Sequence, residues 1–204
     1  MENLSKKKKS DLLWQIKEEI VALKESPLYT FRVENKNFPV IGEGNHEAHV
    51  MFIGEAPGKN EAATGRPFCG AAGRVLTQMI EHIGLKREDV YITNIVKDRP
   101  PDNRDPLPEE IALYAPFLDR QIDALQPKVI ATLGRYSMGY IMQKFGLAQE
   151  LKSISQIHGK VFNTKASYGD ITIFPLYHPA ATLYQGSLKE QMTKDFEILK
   201  QYAS

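Results

Sequence analysis

Residues 50–73, VMFIGEAPGKNEAATGRPFCGAAG, limit the fold more than any other stretch. Val50 to Ile53 is an apolar run of strand length, broken at Gly54 by a turn that carries Pro57 and Gly58. After a polar loop, Gly70-Ala71-Ala72-Gly73 opens a helix whose apolar stripe is Val75, Leu76, Met79, Ile80 and Ile83. Such a strand-loop-helix unit puts backbone N–H groups and loop side chains at the carboxyl end of a parallel sheet. Open α/β folds bind their ligands there, so a functional site is expected at this unit.

The rest of the chain alternates in the same way. Leu13, Ile16, Ile20 and Leu23 fall at helical spacing and predict an N-terminal helix over 10–25. Pro27, Pro39, Gly42 and Gly44 mark 26–48 as an irregular connector, and the β-branched run Val90 to Val96 predicts a second strand. Four prolines, Pro100, Pro101, Pro106 and Pro108, stiffen the loop before a helix carrying Ile111, Tyr114, Leu118, Ile122 and Leu125 on one face. Lys128 to Leu133 reads as a third strand, and Gly134 opens a helix to about Phe145. Lys160 to Phe162 and Ile171 to Phe174 read as short strands, and Ser187-Leu188-Lys189-Glu190 reads as the capping box of a last helix. Strands alternating with helices predict an α/β fold of three layers, a mostly parallel sheet covered on both faces. No repeat or linker divides residues 1–204, which are read as one domain.

Composition narrows the chemistry. The formal charge of +1 makes no case for a polyanion partner by itself. Lys6 to Lys9 form a basic run read as a solvated helix start, with nucleic-acid contact as the alternative. Cys69 is the single cysteine, so the chain forms no internal disulfide and supplies no cysteine-based metal site; no metal is expected. A reducing, cytoplasmic setting fits, and no stretch approaches the ~20 apolar residues of a membrane span. Cys69 itself reads as a small packed residue.

Gly54-Glu55-Ala56-Pro57-Gly58-Lys59 has the look of a phosphate loop but fails as one. Three residues, not four, separate its glycines, and Asn60 follows the lysine where Ser or Thr is needed. Pro57 also breaks any dinucleotide fingerprint. The N–H groups at Gly70 to Gly73 remain available to a phosphate. A more informative set is Glu55, Phe68, Asn94 and His178, which stand at or near strand ends that converge in a parallel sheet. A carboxylate, an aromatic face, an amide and an imidazole together suit a flipped nucleobase.

Five motifs in order, Gly54 to Gly58, Gly65-Arg66-Pro67-Phe68, Thr93-Asn94, Arg99 to Arg104 and His178-Pro179-Ala180-Ala181, resemble those of family 4 uracil-DNA glycosylases. The resemblance implies a four-stranded parallel sheet between helices and hydrolysis of uracil from single- or double-stranded DNA. Free uracil and an abasic site would be the products, with no lyase step. Phe68 would stack on the extruded uracil, Asn94 would read its edge, and Gly54 belongs with them. His178 would donate to the uracil oxygen that gains charge. Glu55 would position the attacking water, and Ala56 stands where the large related family carries an Asp for that water. Leu183, with Thr182, belongs to the loop that enters the minor groove. Arg66, Arg74 and Arg104 are candidate phosphate contacts. A monomer is the family's habit.

One departure is large. The family carries four cysteines on an iron–sulfur cluster, and the matching positions here hold Leu23, Ser26, Asp98 and Tyr114. No cofactor is therefore expected. Leu23 and Tyr114 are expected to meet through apolar contact, with Ser26 and Asp98 adding polar ones. Two alternatives stand beside hydrolysis: a non-catalytic binder of damaged DNA, and a relative that traps DNA covalently through a His in an inserted basic motif. No such insert lies between Arg104 and Pro108.

Overall fold

In the computed structural model, which describes residues 5–203, the apolar runs become strands of one sheet. In chain order the elements are α1 (Lys6–Val21), α2 (Tyr29–Glu34), β1 (Glu43–Gly44), β2 (Val50–Gly54), α3 (Lys59–Thr64), α4 (Ala71–His82) and β3 (Tyr91–Asn94). There follow α5 (Pro108–Leu125), β4 (Val129–Leu133), α6 (Arg135–Lys144), α7 (Ile154–Ile157), β5 (Phe162–Ala166), β6 (Gly169–Leu176) and α8 (Gly186–Lys200). The sheet has six strands in the order β1-β3-β2-β4-β6-β5. The inner four are parallel, and β1 and β5 add antiparallel edges. The resemblance accounts for the inner four; the edges are additional.

Side chains of a strand alternate between faces, and every residue of β2 is buried. Met51 and Ile53 pack with Leu13, Ile16, Ile20, Leu118 and Ile122 of α1 and α5. Val50 and Phe52 pack on the other side with Leu76, Ile80, Met192 and Phe196 of α4 and α8. The Phe52 and Phe196 rings are stacked with centroids 5.9 Å apart. Two apolar layers thus flank the sheet. The parallel register aligns the carboxyl ends: Gly54 is opposite Asn94, and Leu133 is opposite Leu176.

Several boundaries differ from the sequence reading. The first helix begins at Lys6, not residue 10, because the Lys8 N–H donates to Ser5 Oγ at 3.4 Å. Lys9 is not part of a solvated start: it is buried, with Nζ 3.2 Å from Glu47 Oε2 and 3.1 Å from the Leu125 carbonyl. The 26–48 connector holds α2 and β1. A Cβ on Gly44 would lie 1.9 Å from the Val90 carbonyl oxygen, so this glycine marks a close strand approach rather than a bare turn. The second strand stops at Asn94, short of Val96, and the Ile95 and Val96 N–H groups donate instead to the carbonyls of Gly54 and Glu55. The last helix starts one residue before Ser187 with Gln185 as its cap, so the expected capping box does not form. No described helix is long and apolar enough to cross a membrane.

Candidate active site

A cavity of about 330 Å³ opens at the carboxyl rim of the parallel strands. Glu55, Phe68, Asn94 and His178, separated by up to 123 residues of chain (178 minus 55), all line it. Ala56, Glu61 and Arg104 line it too.

Asn94 ends β3 and is almost wholly buried, yet its Oδ1 has no hydrogen-bond partner among the described residues. A buried acceptor left unpaired costs about 1–3 kcal/mol, so the position favours a ligand that donates to it. Gly54 makes room for it: a Cβ there would lie 2.3 Å from Asn94 Oδ1 and 2.6 Å from Phe68 Cζ. The Gly54 surface, the Asn94 amide and the Phe68 ring therefore border one narrow space.

Phe68 has φ +47°, a left-handed conformation that bulky residues adopt only when the surroundings impose it. Three contacts do so. Glu61 Oε1 accepts the Cys69 and Gly70 N–H groups, both at 2.9 Å. Arg87 donates to the Pro67 carbonyl at 2.6 Å and to Thr77 at 3.2 Å. Gly73 lets α4 close on the loop, since a Cβ there would sit 1.8 Å from the Phe68 carbonyl oxygen. The N–H groups of the two residues just before α4, Cys69 and its N-cap Gly70, are thus taken by a carboxylate of the protein, which sits near the positive end of the helix. Neither Glu61 nor Arg87 stands out in the sequence, because the loop atoms they hold are main-chain atoms 8 to 20 residues away. Cys69 is half-buried, with Sγ 3.4 Å from Thr64 Oγ1.

His178 follows β6, and its ring centroid lies 5.7 Å from that of Phe68, the planes inclined at 34°. The Ala180 N–H donates to His178 Nδ1 at 3.2 Å. Nδ1 is thereby the unprotonated nitrogen, which leaves Nε2–H as the donor. Burial pushes the imidazole pKa down to about 4, so the ring is neutral at physiological pH. Gly134, at φ +93°, lies against this histidine; a Cβ there would be 3.2 Å from His178 Cβ.

Glu55 is half-buried and its pKa is raised to about 7, chiefly by burial and next by the Asp105 carboxylate, with Arg135 opposing. At neutral pH it is poised between a proton acceptor and a neutral acid. Ala56 beside it contributes only a methyl group.

The segment after His178 forms a 3₁₀ turn, Pro179–Leu183, packed against α4 and α8. Leu183 is 46% exposed and Tyr184 is 88% exposed. Thr182 does not face outward as expected for a DNA contact: it is buried and its hydroxyl donates to the Pro179 carbonyl at 2.8 Å, closing the turn. Arg74 is exposed and makes no side-chain hydrogen bond among the described residues. Arg66 is exposed but forked onto Glu43, both contacts at 2.8 Å. Arg104 is held by the buried Glu110 carboxylate at 2.9 and 2.5 Å. These two arginines have partners before any ligand arrives.

The four positions matching the family's cluster ligands come together. Leu23, Ser26, Asp98 and Tyr114 are all buried, and Leu23 and Tyr114 share an apolar cluster. Ser26 Oγ lies 2.8 Å from Tyr114 Oη, which donates to Asp98 Oδ2 at 2.6 Å. The sequence reading missed the fifth member, Arg32. Its Nη1 reaches both Asp98 oxygens at 3.2 and 3.0 Å. Arg32 also donates to the carbonyls of Ile20 and Val21 at 3.0 and 2.6 Å, capping α1. Burial raises the Asp98 pKa, while Tyr114 and Arg32 pull it back. These residues do not fit an iron–sulfur cluster: none is a thiolate, and their polar atoms satisfy one another. Among the described residues no group of three or more His, Cys, Asp or Glu side chains is arranged to hold a metal ion.

Comparison with known proteins agrees with this architecture. The profile of the Uracil DNA glycosylase superfamily matches residues 41–200. A type-4 uracil-DNA glycosylase of Sulfurisphaera tokodaii is 48% identical over 95% of this chain and 86% of its own length. The corresponding protein of Saccharolobus solfataricus is 47% identical over 95% and 88%. One from Thermotoga maritima is 38% identical over 82% and 84%. A profile match across most of the chain, together with near-full-length identity to these relatives, establishes that the protein belongs to the uracil DNA glycosylase superfamily, on its type-4 branch.

Proposed function

We propose that this protein is a monofunctional uracil-DNA glycosylase that draws uracil out of DNA and hydrolyses its N-glycosidic bond without an iron–sulfur cluster. Asn94 Oδ1, unpartnered among the described residues and buried beside the Phe68 ring, carries the reading. Uracil offers an N3–H to that oxygen and a carbonyl to the amide nitrogen. Cytosine offers a lone pair and an amino group, the wrong match at both atoms, and would leave buried polar groups unpaired. Phe68 stacks on the base.

As the glycosidic bond lengthens, negative charge gathers on the uracil ring. His178 Nε2–H donates to the carbonyl oxygen that takes it up; a neutral, oriented donor in such a site contributes about 2.7–4 kcal/mol to a transition state. Glu55 orients the water that attacks the sugar and accepts its proton when ionised. Ala56 supplies no second carboxylate, so anion stabilisation carries more of the rate here than base catalysis. Uracil leaves and an abasic sugar remains in the strand.

Incubation with single- and double-stranded oligonucleotides holding one uracil, followed by alkali, tests this. Strand scission that Asn94→Ala and His178→Ala each reduce at least a hundredfold is expected. Retention of DNA without scission would make the protein a binder, and an alkali- and SDS-resistant complex would make it a covalent trap; either overturns the proposal.

A further inference from the structure

Lys97 follows Asn94 by three residues and is completely buried. Its Nζ donates to the Asn94 main-chain carbonyl at 2.6 Å, to Gln121 Oε1 at 2.6 Å and to Thr93 Oγ1 at 2.8 Å; the Ile41 carbonyl is further off at 3.4 Å. An ammonium has three protons and accepts nothing, and the three short contacts use all of them. The partners confirm the direction. Thr93 gives its own hydroxyl proton to the Ile41 carbonyl at 2.6 Å, and Gln121 turns its Nε2 to that same carbonyl at 2.9 Å.

Burial lowers the Lys97 pKa, and no carboxylate among the described residues lies within salt-bridge distance of its Nζ. The nearest other titratable group in this network is Tyr91, whose hydroxyl is 3.4 Å from Gln121 Nε2 and is kept neutral by burial. A buried lysine with no counterion is expensive to retain unless it has work to do. Its surroundings locate that work. The 94–97 segment holds the site from behind: the Ile95 and Val96 N–H groups bond the Gly54 and Glu55 carbonyls, and the Val40 N–H bonds the Lys97 carbonyl. Lys97 folds back on this segment and ties down the carbonyl of the residue whose amide faces the cavity.

We propose that Lys97 is a positioning residue for base readout, whose buried ammonium fixes Asn94 through its main-chain carbonyl so that the amide is aimed before the base arrives. This rests on the glycosylase reading above. A pre-aimed amide pays no reorganisation when the base enters, so its loss falls on the excision step and not on DNA affinity.

The test is Lys97→Met, of similar length but without charge or donors, measured as single-turnover excision at saturating DNA, as DNA affinity and by thermal melting. Excision at least tenfold slower with affinity within twofold is expected. The cycle is repeated in an Asn94→Ala background with 5-fluorouracil in the DNA, a better leaving base that keeps slow variants measurable. There Lys97→Met should add less than twofold. Excision within twofold of the parent, or the same loss in both backgrounds, overturns the proposal. If Lys97→Met does not fold, Gln121→Leu removes one acceptor from a separate helix and enters the same cycle. A loss of threefold or more confined to the Asn94 background supports the role, and equal losses in both backgrounds overturn it. Asn94→Ala excising at the parent rate would instead overturn the underlying glycosylase reading.

Discussion

Gly54 and Asn94 stand opposite each other at the ends of two parallel strands, and the missing side chain of one makes room for the amide of the other. A methyl group on Gly54 would lie 2.3 Å from Asn94 Oδ1 and 2.6 Å from the Phe68 ring, closer than packed atoms come. The Asn94 amide or Phe68 then has to leave its position. Gly54→Ala is expected to lower kcat/KM on uracil DNA at least a hundredfold while the melting temperature moves by only a few degrees. Steady-state kinetics and a thermal melt on the same preparation check this, and an active Gly54→Ala enzyme would show that the base does not bind between these groups.

The titration of Glu55 should be visible in the rate. Its pKa is about 7, raised first by burial and then by Asp105, so the carboxylate form that orients water dominates only above neutrality. His178, with its pKa near 4, stays neutral and adds no inflection in that range. The excision rate should therefore rise with pH through about 7, and Glu55→Gln should flatten the profile. Asp105→Asn should move the inflection down and Arg135→Gln should move it up. Stability follows the same shift in the opposite sense. The folded protein holds the Glu55 proton more tightly than the unfolded chain, so this group's contribution is present below pH 4.5 and lost as pH rises through about 7. Glu55→Gln should thus stabilise the protein at pH 8 and not at pH 4.

Much of this arrangement is legible in the chain because it is local. Continuous apolar and β-branched runs give β2, β3, β4 and β6, and a parallel sheet then draws Glu55, Asn94 and His178 to one rim by topology. What escapes the sequence depends on partners far along the chain. Arg32 falls in a stretch that reads as an irregular connector, with nothing to mark it until Asp98, 66 residues on, is placed beside it. Lys97 looks like a surface lysine in a polar run, and its burial depends on Gln121 of α5. The left-handed backbone of Phe68 has no signature in its own residue type, since Gly73, Glu61 and Arg87 impose it. The two-residue β1 is too short to show a period.

The Arg32–Asp98–Tyr114–Ser26 network should hold the N-terminal helix to the proline-rich loop. Removing one member of a buried ion pair strands the other charge and typically costs about 3–5 kcal/mol. Asp98→Ala and Arg32→Met are each expected to lower stability by about that amount in urea melts, and Tyr114→Phe by about 1.5–3 kcal/mol through loss of a hydrogen bond to a charge. Arg32→Met combined with Asp98→Leu should be milder than the sum, since neither charge is then left alone. Reconstitution with iron and sulfide under anaerobic conditions should yield no visible charge-transfer absorbance and no bound iron. Stoichiometric iron uptake would contradict the cluster-free reading.

Leu183 and Tyr184 project from the turn after His178, 46% and 88% exposed. That exposure is wasteful for apolar side chains unless something covers them, and the proposed reaction leaves a vacancy in the base stack. A leucine inserted there recovers part of the ~1.5–3 kcal/mol of full burial, and a tyrosine ring laid on a neighbouring base recovers about 1–3 kcal/mol. A single strand has no duplex stack to hold open. Leu183→Ala should therefore slow excision from double-stranded DNA about tenfold and from single-stranded DNA less than threefold. Tyr184→Ala should weaken binding to both about fivefold or more, because a base face is available in either form. The ratio of single-turnover rates on the two substrates separates these effects, and an unchanged ratio for Leu183→Ala would show that this residue anchors the loop and does not enter the helix. Thr182→Val offers a contrast, since it breaks the bond to the Pro179 carbonyl and should slow excision from both substrates alike by disturbing the turn that carries His178.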